Sequence, residues 1–193
     1  MSIEDKIKLF SMSHHMLERE LDRVEQKFEL DLQRDTSTQS SLDEAYYPQF
    51  DEAVRNEAAE MAVHYQLFYC LEKSIRQLVK GKMQAEHGSS WWGKTVPEPI
   101  RNNANDNMQK EIDSGVTPRS TDEIDYITFG ELGDIVRTNW TTFSDTFNSQ
   151  KAFTKIMSSL NVLRGPIAHC SPLAPDEVVR LQITLRDWFR LME

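Results

Sequence analysis

The chain has 193 residues, 39% of them hydrophobic and 27% charged, with a formal charge of −9. This suits one folded domain with a real core plus an appendage, and it excludes a disordered chain. No apolar run approaches the roughly 18 residues needed to span a membrane, and the acidic balance argues against broad electrostatic attachment to nucleic acid.

The charge is unevenly spread. From Ser149 to Glu193 six Lys/Arg face four acids, a local +2, which leaves −11 for the remainder. An RNA-binding surface is therefore expected only locally, with Lys155 and Arg180 as candidate RNA contacts. Met1 to Phe10 lacks the apolar core of a signal peptide, and a cytoplasmic location is expected. Cys70 and Cys170 stand beside hydrophobic residues and read as buried free thiols in a reducing compartment.

In chain order, Ile3, Ile7, Phe10, His14, Leu17, Leu21, Val24 and Phe28 alternate by four and three, a heptad seam over 3–28. Such a helix packs on its own domain or pairs with a partner chain. Residues 35–44 (DTSTQSSLDE) are polar and aperiodic, a linker. The expected organisation is thus an N-terminal amphipathic helix over 1–34, the linker over 35–44, and a helical domain over 45–193.

A long helix is predicted next, with Phe50, Val54, Ala58, Met61, Tyr65, Phe68, Ile75 and Val79 on one stripe broken by Glu72. Neighbouring Leu71 can fill that gap. Gly81 is a point of fraying and Gly88 the end. Ser89 to Gly93, with Trp91-Trp92, reads as a compact aromatic loop. Pro97 and Pro99 open a helix reaching Gly115, since proline is tolerated in a first turn.

Thr128-Phe129-Gly130-Glu131 has the form of a capping box and starts a helix to about Trp140. A short helix follows at Thr142–Phe147, then a longer one at Ser149–Leu163 that buries Phe153, Ile156, Leu160 and Leu163. Pro175, Asp176 and Glu177 begin the last helix, whose apolar face is Val178, Leu181, Leu185, Trp188 and Met192. The fold class is all-α, without a convincing strand or an internal repeat.

One stretch is suited to chemistry: Leu163-Arg164-Gly165-Pro166-Ile167-Ala168-His169. Residues five apart on an unbroken helix point about 140° from one another. Gly165-Pro166 is expected to interrupt the helix and let the two side chains converge. Arginine grips phosphate bidentately and histidine titrates near neutrality, a pair suited to phosphodiester cleavage without metal. Without further context, Arg164 would cap helix carbonyls and His169 would hydrogen-bond a loop carbonyl. Asp122, Glu123 and Asp125 form a solvated acidic turn rather than a cation loop. No metal and no cofactor is expected, because His14, His15 and His64 form no ligand pair.

The chain from about Glu57 to Met192 resembles the Swt-type branch of the HEPN superfamily. The resemblance rests on Leu71-Glu72-Lys73-Ser74-Ile75-Arg76, Trp91-Trp92, Tyr126 to Leu132 and, best, Leu160 to His169 with its Arg-x4-His spacing. It implies an up-and-down helical bundle, with the heptad helix additional to it, that commonly homodimerises and brings two motifs together across a cleft. In active members the 2′-hydroxyl attacks the adjacent phosphate, leaving a cyclic phosphate and a 5′-hydroxyl. His169 would then be the general base or acid, and Arg164 would stabilise the transition state.

The resemblance further implies a toxin or anti-phage effector acting on RNA, and the regular seam of the 3–28 helix is the expected contact for an antitoxin or partner protein. Active members usually place Asn after the arginine, where this chain has Gly165. Branches that keep the fold without cleavage serve as RNA-, nucleotide- or protein-binding modules, which is the alternative expectation here.

Overall fold

A computed structural model describes residues 47–193, together with Leu21, Val24, Lys27 and Phe28. The chain divides into two compact units, Met1–Gln49 and Phe50–Glu193. In the first, the four named residues are helical and Tyr47–Gln49 forms a 3-10 turn. The rest of the expected 3–28 heptad helix, and the 35–44 linker, lie outside the described residues.

The second unit is all-α; among the described residues it holds seven α-helices and no strand. Its longest element, α1 (Glu52–His87), begins where the Asp51 side chain accepts from the Ala53 N–H at 2.8 Å. It runs through Gly81 without fraying and stops at Gly88, whose φ of 72° suits glycine. Phe68, Leu71, Ile75, Val79 and Met83 form its buried stripe. The apolar stripe is therefore buried only from Phe68 onward, and Phe50 and Val54 are exposed.

Trp91-Trp92 lies in a short helix, α2 (Trp91–Thr95), and not in a loop. Trp91 is buried in the core and Trp92 meets it edge-on, their centroids 5.3 Å apart. Burying the first ring fixes the backbone as one helical turn. Pro97 and Pro99 then open α3 (Glu98–Asp113) as expected, and Gly115 at φ 68° follows its end.

The acidic segment becomes a 3-10 turn, Glu123–Tyr126, anchored by buried Ile124 and Tyr126. Asp125 in it and Asp122 just before it meet α1, where Lys73 lies 3.9 Å from Asp125 and Lys80 reaches Asp122 at 2.5 Å. The capping box is complete: the Thr128 hydroxyl accepts from the Glu131 N–H, and Glu131 accepts from the Thr128 N–H at 2.7 Å. It starts α4 (Phe129–Thr138), followed by α5 (Trp140–Phe143). The short helix thus begins two residues earlier than expected and ends four earlier.

Two long helices complete the unit, α6 (Gln150–Ala168) and α7 (Pro175–Arg190). The α6 helix packs on α1, α4 and α7. Phe153, Ile156, Leu160 and Leu163 are all buried, as are Leu181, Leu185 and Trp188 of α7. Phe147, Phe153 and Trp188 form an aromatic centre, with Phe147 4.9 Å from Phe153 and 5.5 Å from Trp188. Each such ring contributes about 1.5–3 kcal/mol on burial.

Two sequence expectations are corrected here. Gly165-Pro166 does not interrupt α6, which continues to Ala168 with Pro166 inside it. Proline leaves the Val162 carbonyl without its usual donor, but Val162 is 75% exposed, so water can serve that solvated face. The helix ends three residues later. The His169 N–H reaches the Gly165 carbonyl at 3.0 Å, the Ser171 N–H reaches that of Pro166 at 3.0 Å, and Cys170 sits between them at φ 53°.

The second correction concerns the thiols: Cys70 and Cys170 are both exposed. Adjacency to Leu71 does not bury Cys70, because the next residue on a helix lies about 100° round. Among the described residues no helix is long and apolar enough to cross a membrane.

Candidate functional site

One face of α1 carries Tyr65, Tyr69, Glu72, Lys73 and Arg76, spaced so that they align along the axis beside the buried stripe. This face forms one wall of a cleft of about 580 Å³. Arg164, Ile167 and Ala168 from the end of α6 form a second wall, and Arg119 with Asp125 to Thr128 closes the third. The capping box and the buried Tyr126 hold that third wall in place. The Tyr126 hydroxyl donates to the Ser120 carbonyl at 2.9 Å, and the Arg119 guanidinium lies 5.2 Å from the Tyr126 ring centroid.

Glu72 is the centre of the cleft's polar network. Its Oε2 accepts from Arg164 Nε at 2.9 Å, and its Oε1 accepts from Arg76 Nη2. Arg76 is spent on structure: Nη1 donates to the Ile124 carbonyl and Nη2 also to that of Ile127, at 2.9 Å. It thereby ties the 3-10 turn to α1. Arg164 differs, because only its Nε is engaged among the described residues. The Nη pair, the edge that grips a phosphate bidentately, is left available.

The electrostatics favour an anion. Four cations (Lys73, Arg76, Arg119 and Arg164) line the cleft against two carboxylates, Glu72 and Asp125. Two guanidinium groups share the Glu72 carboxylate, so the triad keeps a net positive charge. At the rim, the Arg119 side chain and backbone N–H bond to Glu111 and hold its carboxyl below the usual glutamate range. A local positive cleft on an acidic protein concentrates field where a phosphate would enter.

The other sequence-derived residues fall elsewhere. His169 is exposed at the end of α6 and is not among the residues lining the cleft, although Ala168 beside it is. His169 is the C-cap residue, one past the last helical residue, and Gly165-Pro166 does not fold it back toward Arg164 as expected. Lys155 lines a separate groove of about 450 Å³ between α6 and α7, together with Asp187 and Arg190. Arg180 is exposed and bonds to Glu177 at 3.0 Å. Arg164 does not cap helix carbonyls; it crosses to α1. Among the described residues no group of three or more His, Cys, Asp or Glu could hold a metal ion.

Sequence reasoning had no role for Glu72, Arg76, Tyr69 or Arg119 in this cleft. The one signal was Glu72 itself, an acid interrupting an apolar stripe, which asks for a cationic partner.

A family model described as Swt1-like HEPN matches residues 66–193. The chain belongs to the Swt1-like HEPN family. The HEPN match covers Arg164, His169 and every residue lining the cleft except Tyr65, which it begins one residue after. No curated protein and no solved structure matches the chain.

Proposed function

We propose that this HEPN protein binds RNA in the Arg164 cleft and cleaves it without metal as a homodimer. The observation that carries the reading is the orientation of Arg164: Glu72 holds Nε, and the Nη edge remains available to a phosphate at the end of α6. Arg164 then stabilises the charge that develops on phosphorus. The 2′-oxygen bonds to phosphorus, its proton passes to a base, the bond to the 5′-oxygen breaks, and that oxygen takes a proton from an acid. The products are a 2′,3′-cyclic phosphate and a 5′-hydroxyl.

His169 is the proton-transfer group in this scheme. Arg164 lines the cleft while His169, the C-cap residue of α6, does not, so His169 of a second copy would complete each site. This is the physical argument for the dimer. Such an activity fits a toxin or anti-phage effector in the cytoplasm, with the 3–28 segment as the contact for an antitoxin or other partner.

A second reading, a HEPN module that binds RNA, nucleotide or protein without cleavage, is favoured by one observation. Arg164 already forms an ion pair with Glu72 through Nε, and Gly165 offers no polar side chain beside it. Purified protein incubated with total RNA in EDTA separates the two. Cleavage that persists in EDTA and disappears in both Arg164→Ala and His169→Ala supports the nuclease. RNA that is retained but stays intact supports the module. Light scattering reads the dimer in the same samples.

A further inference from the structure

We propose that Tyr65 and Tyr69 form a stacking subsite for an unpaired RNA base beside the phosphate position at Arg164. The inference rests on the RNA-binding reading above and deepens it. It begins from two rings that do not contribute to the core: Tyr65 is 58% exposed and Tyr69 53%. They are one turn apart on α1, with centroids 6.1 Å apart and planes tilted by 36°. At that separation and tilt neither ring covers the other, and both line the cleft.

Their distance from the cations selects the ligand. Tyr69 and Tyr65 precede Glu72 by three and seven residues, about 5 and 10 Å along the helix axis. Arg164 is bound to Glu72 at that level, and Lys73 is the next residue, half-exposed and in a long 3.9 Å ion pair with Asp125. Aromatic faces beside paired cations, a few ångströms apart, match a base joined to its phosphate. The cleft volume is within the range of sites for small organic ligands. An apolar peptide would gain nothing from the cations, and a duplex would hide its base faces. Single-stranded RNA uses both features.

The test is fluorescence anisotropy with a labelled twelve-nucleotide oligoadenylate and with the same strand in a duplex. The protein is the full chain carrying His169→Ala, which suppresses cleavage during the measurement. Adding Tyr65→Leu and Tyr69→Leu together should weaken binding of the single strand about tenfold and leave the duplex unchanged. Replacing both by Phe, which keeps the π faces, should restore the parent affinity and also control for folding.

An unchanged affinity in the Leu pair overturns the subsite, as does an equal loss on the duplex. Conversion of a dimer to a monomer by the Leu pair also overturns it, assigning the rings to a protein contact. Arg164→Ala distinguishes the two levels of the argument. If it weakens binding while the tyrosine variants do not, the subsite alone falls; if the parent binds no RNA, the RNA-binding reading falls with it.

Discussion

Arg164 Nε and Glu72 Oε2 meet at 2.9 Å across 92 positions of sequence, joining the end of α6 to the middle of α1. The carboxylate is 16% exposed and the arginine 38%, so water screens one side of the pair more than the other. Because Arg76 shares the same carboxylate, Glu72 orients one arginine and anchors another. Its removal leaves both without their acid.

Glu72→Ala is expected to destabilise the fold by about 1–3 kcal/mol, since it strands a partly buried guanidinium at Arg76. Glu72→Gln keeps an oxygen acceptor and should lose less. Urea unfolding of the three proteins reads the order. Equal midpoints for Ala and wild type would remove Glu72 from its organising role.

Gly165 occupies a helical position where an added Cβ would meet nothing within 4 Å beyond its chain neighbours and the backbone of its own helix. Gly165→Ala should therefore stabilise the protein by about 0.5–1 kcal/mol, through reduced freedom of the unfolded chain. Thermal unfolding checks this. A lower midpoint would mean that the flexibility of glycine is needed before Pro166. The same open space accepts Asn, so Gly165→Asn should fold normally and allows a polar group to be tested beside Arg164.

Much of this architecture was legible in the sequence. The capping box, the proline-opened helices and the apolar stripes of α6 and α7 are local signals, and each formed as the pattern dictated. The Arg164 cleft was only half legible, because Glu72 and Arg164 are brought together by packing and no local rule connects them. Gly165-Pro166 misled for a related reason. A proline breaks a helix only where the lost hydrogen bond cannot be replaced, and the exposure of Val162 is a tertiary fact. The cysteines failed similarly: neighbours in sequence were read as neighbours in space.

Cys170 stands at φ 53°, a conformation that costs a side chain about 1 kcal/mol and glycine very little. Cys170→Gly should raise stability by up to that amount, and Cys170→Val, with its branched β-carbon, should lower it. Denaturant midpoints of the pair give the answer, and the same order for both substitutions would argue against strain at this turn. Cys70 and Cys170 should both react with a thiol reagent in the native state, as their exposure requires.

Glu111 gives a pH prediction. Its bonds to Arg119 lower its pKa, so the favourable contact is complete above the unfolded pKa and disappears as pH falls through the lowered folded value. Carboxyl-detected NMR should show Glu111 titrating below the ordinary glutamate value. Arg119→Ala should return it to the ordinary range, and an unshifted titration in the parent would dismiss the pairing.

The unbroken course of α6 makes angular position a matter of residue count. Each residue advances the helix by about 100°, so the four steps from Arg164 to Ala168, the last helical residue, return close to the same face of the rod, and His169 follows at the C-cap, outside the regular screw. Any strand that touches both groups of a single chain must curl around the tip of that rod, past Ala168 and the turn at Cys170. For a strand bound as proposed, Arg164 and His169 would be the inner and outer bearings of a corner at the tip of α6.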